Sequence, residues 1–314
     1  MLSADSSLGR ALKAHCSVAD AQTFAIRRPL DRQYDERPTP GPIADGTLMI
    51  EPFFREAGAG PGVVCLHSNA SSSSQWRGLM DRLARDFHVL APDGHGAGKG
   101  PPWPSEQALA LCDEVACLEP VFARAGDPFV LVGHSYGAAV ALVAAVNHPL
   151  RVSALALYEP TLFGLIDAQA APPNEADGIR QAVERAAAAL AAGDRATAAE
   201  CFIDYWMGVG SWRAKPEAQR PLIEQAIVNV AGWGRALFAE PTPLATFAEL
   251  RMPVLLMVGQ DSPVSSRAVA RQLIQALPNL QAIEFEGLGH MGPITHPEQV
   301  NPVIENFLRR TQAA

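Results

Sequence analysis

Ser135 sits in Gly133-His134-Ser135-Tyr136-Gly137, between the apolar run Phe129–Val132 and an alanine-rich apolar stretch. A serine hydroxyl is a poor nucleophile at neutral pH until an imidazole takes its proton, and the imidazole needs a carboxylate behind it to hold its tautomer. Both kinds of residue follow downstream. His290 stands in Gly287-Leu-Gly-His290-Met-Gly-Pro293. Two carboxylates compete for the third role. Glu159 comes directly after the apolar run Val152–Tyr158, and Asp261 lies in Gln260-Asp261-Ser262-Pro263 after Met252–Gly259. A buried carboxylate is costly unless paired. Pairing with His290 would give Glu159 a reason for its position, and capping the entrance to the next segment would give it another. The chemistry that such a set supports is nucleophilic acyl transfer.

These residues need elements that hold them. An apolar strand that breaks at Gly-x-Ser-x-Gly into a helix is a nucleophile elbow, a tight turn that lifts the serine oxygen clear of the sheet. Glycines flank the serine because larger side chains would clash there. The helix after it aims its N-terminal amides at developing negative charge. The patterning predicts strands at Leu48–Arg55, Gly62–His67, His88–Asp93, Phe129–Val132, Val152–Tyr158, Met252–Gly259 and Ala282–Glu286. It predicts helices at Gln75–Arg85, Glu106–Ala125 and Tyr136–Asn147, and helical structure over 176–207. Alternation of strand and helix argues for a mostly parallel sheet with helices on both faces.

The expected division is an N-terminal leader at 1–45, a core at 46–160 and 251–314, and a helical cap at 161–250. The leader contains a short helical stretch, Leu8–Ala21, and a linker, Arg37–Pro42, that proline excludes from a helix. An insertion after Pro160 would lie over the strand C-termini, where open α/β sheets place ligands. Phe163, Trp206 and Trp233 are the aromatics expected to reach the substrate pocket from it, with Ser68 and His134 facing them from the core.

Composition narrows the function classes. The 314 residues suit one hydrolytic core with an insertion. The formal charge of −8 is spread along the chain, so nucleic acid and anionic membrane are poor partners. Five cysteines without a C-x-x-C pair suggest a reducing cytoplasm and no disulfide framework. No histidine pair has the H-E-x-x-H or H-x-x-x-H spacing of a metal site, and Gly94–Gly100 lacks the ending of a phosphate loop. The expectation is therefore no metal and no cofactor. The expected partner is a small-molecule substrate, and a homodimer is left open.

The order serine, acid, histidine and the elbow together resemble the α/β-hydrolase superfamily over roughly residues 47 to 311, and most of all its cap-bearing serine esterases. The resemblance implies the α/β-hydrolase fold. Leu66-His-Ser-Asn-Ala70 falls where the superfamily usually has His-Gly after its third strand, with Ser68 in place of the glycine. The resemblance assigns the oxyanion hole to the amides of Asn69 and Tyr136. Superfamily members often carry the acid three residues after the glycine that ends the seventh strand. Counted from Gly259, that position is Ser262, and Asp261 is one residue early. A second superfamily solution takes the acid from the end of the sixth strand, which here is Glu159.

The function that follows is cleavage of an ester, thioester, lactone or amide of a small, largely apolar substrate through an acyl-enzyme on Ser135. The alternatives are another chemistry on the same fold (a C–C bond hydrolase, a lyase or a perhydrolase) and a non-catalytic small-molecule receptor. Haloalkane dehalogenases and epoxide hydrolases use a carboxylate nucleophile at the elbow, so Ser135 argues against both.

Overall fold

The computed structural model describes residues 35–36, 52–104 and 108–312. The leader helix Leu8–Ala21, the linker Arg37–Pro42 and the start of the Leu48–Arg55 strand lie outside the described residues.

The strands are β1 (Asp35–Glu36), β2 (Phe54–Ala57), β3 (Gly62–Leu66), β4 (His88–Pro92), β5 (Phe129–His134), β6 (Val152–Tyr158), β7 (Val254–Gly259) and β8 (Leu280–Phe285). They form one eight-stranded sheet in the order β1-β2-β4-β3-β5-β6-β7-β8. From β4 to β8 every pairing is parallel, while β2 pairs antiparallel with β1 and β4. Strands β3, β5 and β7 are buried along their whole length. That explains their continuous apolar sequence, since parallel strands are covered on both faces.

Two helical layers cover the sheet. On one face α1 (Arg77–Leu83) and a C-terminal helix (Pro297–Gln312) bring Leu79, Met80, Val300 and Ile304 against Val63, Val132 and Leu255. On the other, α2 (Leu111–Ala125) and α3 (Tyr136–Asn147) bury Leu118, Phe122 and Leu142 with Val64 and Leu131. Helix α3 is buried on all sides from Tyr136 to Ala145. An all-round apolar helix belongs in a core, which accounts for the uninterrupted apolar sequence from Gly137 to Val146.

The insertion between β6 and β7 is helical. Its segments include α4 (Gly164–Gln169), α5 (Asp177–Ala191), α6 (Arg195–Met207), α7 (Ser211–Ala214), α8 (Arg220–Ala226), α9 (Val230–Phe238) and α10 (Leu244–Phe247). The helical stretch expected over 176–207 is split at Gly193-Asp194. Gly193 takes φ +80°, and the Asp194 carboxylate caps the next helix by accepting from Thr197 N at 2.9 Å.

Strand order reverses between β3 and β5. The chain leaves β3 for β4 on one side, then returns to β5 and winds the other way. The carboxyl ends of strands flanking such a switch point form a crevice. Those ends carry His67–Ala70 and Ser135.

Candidate active site

The elbow is built by close approach. A Cβ on Gly137 would lie 2.4 Å from the Leu66 carbonyl oxygen, and one on Gly133 would lie 2.5 Å from Ala138 Cα. Only glycine lets α3 start so close to β3 and β5. Ser135 takes φ 58° and ψ −117°, outside the ordinary regions for an L-residue. The turn is fixed by Ser135 N donating to Tyr158 O at 2.9 Å and by Ser135 O accepting from Ala138 N and Ala139 N, each at 3.0 Å. Strain of this kind persists only where surrounding structure over-determines it.

The pairing His134↔Tyr158 brings the end of β6 beside the elbow. Glu159 follows Tyr158 with φ +47°, and it is fully buried. Its carboxylate Oε2 lies 2.6 Å from His290 Nδ1, and His290 Nε2 lies 2.8 Å from Ser135 Oγ. The other carboxylate oxygen, Oε1, accepts from Gly259 N at 2.7 Å and from the Ser262 hydroxyl. Ser266 Oγ is 3.3 Å from His290 Nδ1. Asp261 is exposed and has no hydrogen bond to His290. Its backbone N–H donates to Leu288 O at 2.9 Å, and in this turn the side chain that faces inward is Ser262. Of the two acids the residues offered, the structure thus brings Glu159 to His290 and leaves Asp261 on the rim of a neighbouring cavity. The shift to serine at position 262 has a physical counterpart, because its hydroxyl donates to Glu159.

Next to Ser135 lies the Ser68–Asn69 loop. Gln75 Oε1 accepts from both Ser68 N and Ser68 Oγ at 3.1 Å. Its amide nitrogen donates to His134 Nδ1 at 3.1 Å, and His134 Nε2 donates to the His290 carbonyl at 2.8 Å. One amide thus links the loop to the backbone of His290. His67 pins the same loop, donating from Nδ1 to Ser68 O at 2.8 Å and accepting from Gly94 N at 3.2 Å. Ala70, with φ +53°, turns the chain so that Asn69 lines the cavities at Ser135. The amide of Tyr136 is the first of α3 and has no acceptor within its own helix. The Tyr136 hydroxyl donates to the buried Glu114 at 3.2 Å, and His95 Nδ1 is 2.9 Å from that carboxylate.

His134 was expected in the substrate pocket, but the structure places it behind His290. It is fully buried, and both ring nitrogens are engaged. Burial, and secondarily the charge of His290, hold its pKa well below the ordinary histidine range. The unfolded chain protonates this ring below about pH 6.5, whereas the native chain does not. The stability drawn from a neutral His134 is therefore complete above that pH and declines as pH falls beneath it. In His134→Gln an amide can donate to the same carbonyl. This variant is expected to flatten the dependence of the urea midpoint on pH between roughly pH 6.5 and 5. An unchanged slope would mean that the native ring titrates like a free one.

Ser68, Phe163, Trp206 and Trp233 all line cavities that reach Ser135. Trp206 lies flat on His290, with ring centroids 3.9 Å apart and planes 24° from parallel. An indole face in that position attracts an imidazolium more than a neutral imidazole. Neighbouring Tyr205 ties the helix to the core through Ser265 Oγ at 2.6 Å. Sequence reasoning missed Gln75, Ser262 and Ser266. Only the off-register Ser262 left a signal. Among the described residues no three His, Cys, Asp or Glu side chains are placed to hold a metal ion, and no helix is long and apolar enough to cross a membrane.

Comparison with known proteins agrees with this geometry. The family described as the alpha/beta hydrolase fold matches residues 61–297. A pimeloyl-[acyl-carrier protein] methyl ester esterase of Aeromonas hydrophila is 26% identical over 283 residues, covering 83% of this chain and 99% of the esterase. A 2-(acetamidomethylene)succinate hydrolase of Mesorhizobium japonicum is 26% identical over 258 residues, covering 81% of this chain and 90% of the relative. The crystal structure of an α/β hydrolase from Sphaerobacter thermophilus superposes with a TM-score of 0.61 at 28% identity, covering 81% of this chain and 95% of that one. With the elbow, the parallel sheet and these likenesses together, the chain belongs to the α/β-hydrolase-fold family and is an enzyme of the hydrolase type.

Proposed function

We propose that this hydrolase cleaves an ester-type bond of a small, largely apolar substrate through an acyl-enzyme on Ser135. The observation that carries the reading is the unbroken chain Ser135 Oγ, His290 and Glu159, with contacts of 2.8 and 2.6 Å. In the first half-reaction Ser135 Oγ bonds to the substrate carbonyl carbon and its proton passes to His290 Nε2. The carbonyl oxygen becomes an oxyanion facing the amides of Asn69 and Tyr136. Each well-placed donor of this kind is worth about 10²–10³ in rate. His290 then protonates the leaving oxygen as the bond to it breaks. A water repeats the sequence to release the acid. Glu159 holds the imidazole with Nε2 toward the serine and stabilises the imidazolium without taking the proton. The helical insertion serves as the cap, since Phe163, Phe202 and Trp206 from it line the cavities at Ser135.

The named esterase among the relatives supports the ester reading, and the succinate hydrolase, named for a different substrate, keeps the alternative chemistry in view. A fluorophosphonate probe and p-nitrophenyl esters of rising acyl length separate the possibilities. The expected result is labelling of Ser135 together with turnover of short esters and a decline for long ones. Labelling without cleavage of any ester would favour C–C bond, lyase or perhydrolase chemistry. Absence of labelling would favour a receptor.

A further inference from the structure

Two cavities meet at Ser135. The outer one, about 820 Å³, is walled in part by Ser68, Ser71, Lys215 and His290. The inner one, about 300 Å³, is walled by Ile179, Val183, Val230, Trp233 and Leu237 of the insertion and by Thr161. Asn69, Ser135, Phe202 and Trp206 belong to both. A bond cleaved at Ser135 would therefore place one arm of the substrate in each cavity. The inner space is the smaller of the two, so the arm that it takes is short.

Away from its mouth the inner cavity is apolar, with one exception. Thr161 is 1% exposed, and its hydroxyl has no hydrogen-bond partner among the described residues. Leaving a hydroxyl dry and unpaired is unfavourable, and a native orphan of this kind calls for a cause. Other buried polar atoms lack partners too, among them Ser73 Oγ, Trp76 Nε1 and Arg267 Nε, but none of these residues lines either cavity. Among the described residues, Thr161 alone combines a fully buried, unpaired polar atom with a place on the wall beside Ser135. Local folding does not require a hydroxyl there. The turn out of β6 uses the Thr161 carbonyl, which accepts from Phe163 N at 2.9 Å, and valine would present the same shape.

We propose that the inner cavity is a subsite for a short, mostly apolar substrate arm that carries one hydrogen-bonding oxygen or nitrogen, received by the Thr161 hydroxyl. This deepens the serine-hydrolase reading and rests on it. A site built to pair a polar atom discriminates strongly against the analogue that lacks it, whereas an apolar wall does not.

The test compares the parent with Thr161→Val on p-nitrophenyl esters in matched pairs, a hydroxyl against a methyl at carbons 2, 3 and 4 of the acyl chain. Methyl-ester pairs varied in the same way, with the polar atom also moved to the alcohol arm, cover the opposite binding direction. At one position the parent is expected to favour the oxygen-bearing member by about 10-fold or more in kcat/KM, and Thr161→Val should bring that ratio to unity or below. The urea midpoint of Thr161→Val should be no lower than the parent's, since no internal hydrogen bond is lost. Calorimetric binding of the same methyl esters to Ser135→Ala protein reads the subsite without turnover and should show the same preference. Equal ratios in parent and variant at every position, or a lower urea midpoint in Thr161→Val, would overturn the proposal. If the serine-hydrolase reading itself failed, probe labelling and ester turnover would both be missing while the binding preference persisted, so the two failures differ.

Discussion

Ser135→Ala is expected to lower kcat by roughly 10⁴ or more and to abolish fluorophosphonate labelling, with the fold intact. The side chain removed is one oxygen whose contact is His290 Nε2 at 2.8 Å, in a residue only 5% exposed. Alanine fills nearly the same space, so no large cavity opens. What would remain is the pocket and the amides of Asn69 and Tyr136 proposed for the oxyanion, which would bind and polarise a carbonyl but offer no nucleophile. The turn is strained by a φ of 58°. Strain at a functional position is expected to cost stability, and alanine keeps that cost because it has the same Cβ. Urea denaturation should therefore give nearly the same midpoint as the parent. Activity at the parental level would place the nucleophile elsewhere and would remove the basis of the acyl-enzyme reading.

The elbow was legible because its signals are local. A strand buried on both faces must be apolar throughout, and Gly133 and Gly137 mark backbone approaches that no side chain permits. The parallel sheet was legible for the same reason, from apolar runs spaced by helical stretches. The choice of acid was not. Glu159 and Asp261 both follow apolar strands, and what separates them is the direction that the chain takes next. Glu159 turns inward through a backbone at φ +47°, while around Asp261 it is Ser262 that faces inward. Neither dihedral has a local signature in residue types. Gln75 was invisible for another reason. It sits in a polar run that reads as a loop and helix start, yet its partner His134 is 59 residues away. His134 read as a pocket residue because it adjoins the nucleophile. In a strand, however, successive side chains point to opposite faces, and at this position the ring goes beneath His290. The division of the insertion into α5 and α6 depended on a cap by Asp194 inside an otherwise continuous helical composition.

The acid gives the second large effect. Glu159→Gln is expected to lose about 10²–10⁴ in kcat, whereas Asp261→Asn should lose no more than about tenfold. The argument is one of donors and acceptors. Glu159 Oε2 faces His290 Nδ1, and Oε1 faces the Gly259 amide and the Ser262 hydroxyl. All of these groups can donate, and a carboxylate accepts from every one. A glutamine has a single acceptor oxygen. If it turns that oxygen to His290, its NH₂ meets the Gly259 N–H, which cannot reverse its role. If it turns the oxygen to Gly259, its NH₂ meets Nδ1 and forces the imidazole into the tautomer that cannot accept the serine proton. Either orientation also removes the negative charge that stabilises the imidazolium. Ser262→Ala should cost less than Glu159→Gln, because Gly259 N still donates to the carboxylate and its charge is kept. Asp261 is exposed, so its charge reaches His290 only through solvent-screened electrostatics. Steady-state kinetics of the three variants on one p-nitrophenyl ester, with urea curves to confirm folding, measures the ranking. A larger loss in Asp261→Asn than in Glu159→Gln would make Asp261 the acid and leave Glu159 as a residue that only shapes the entrance to the cap.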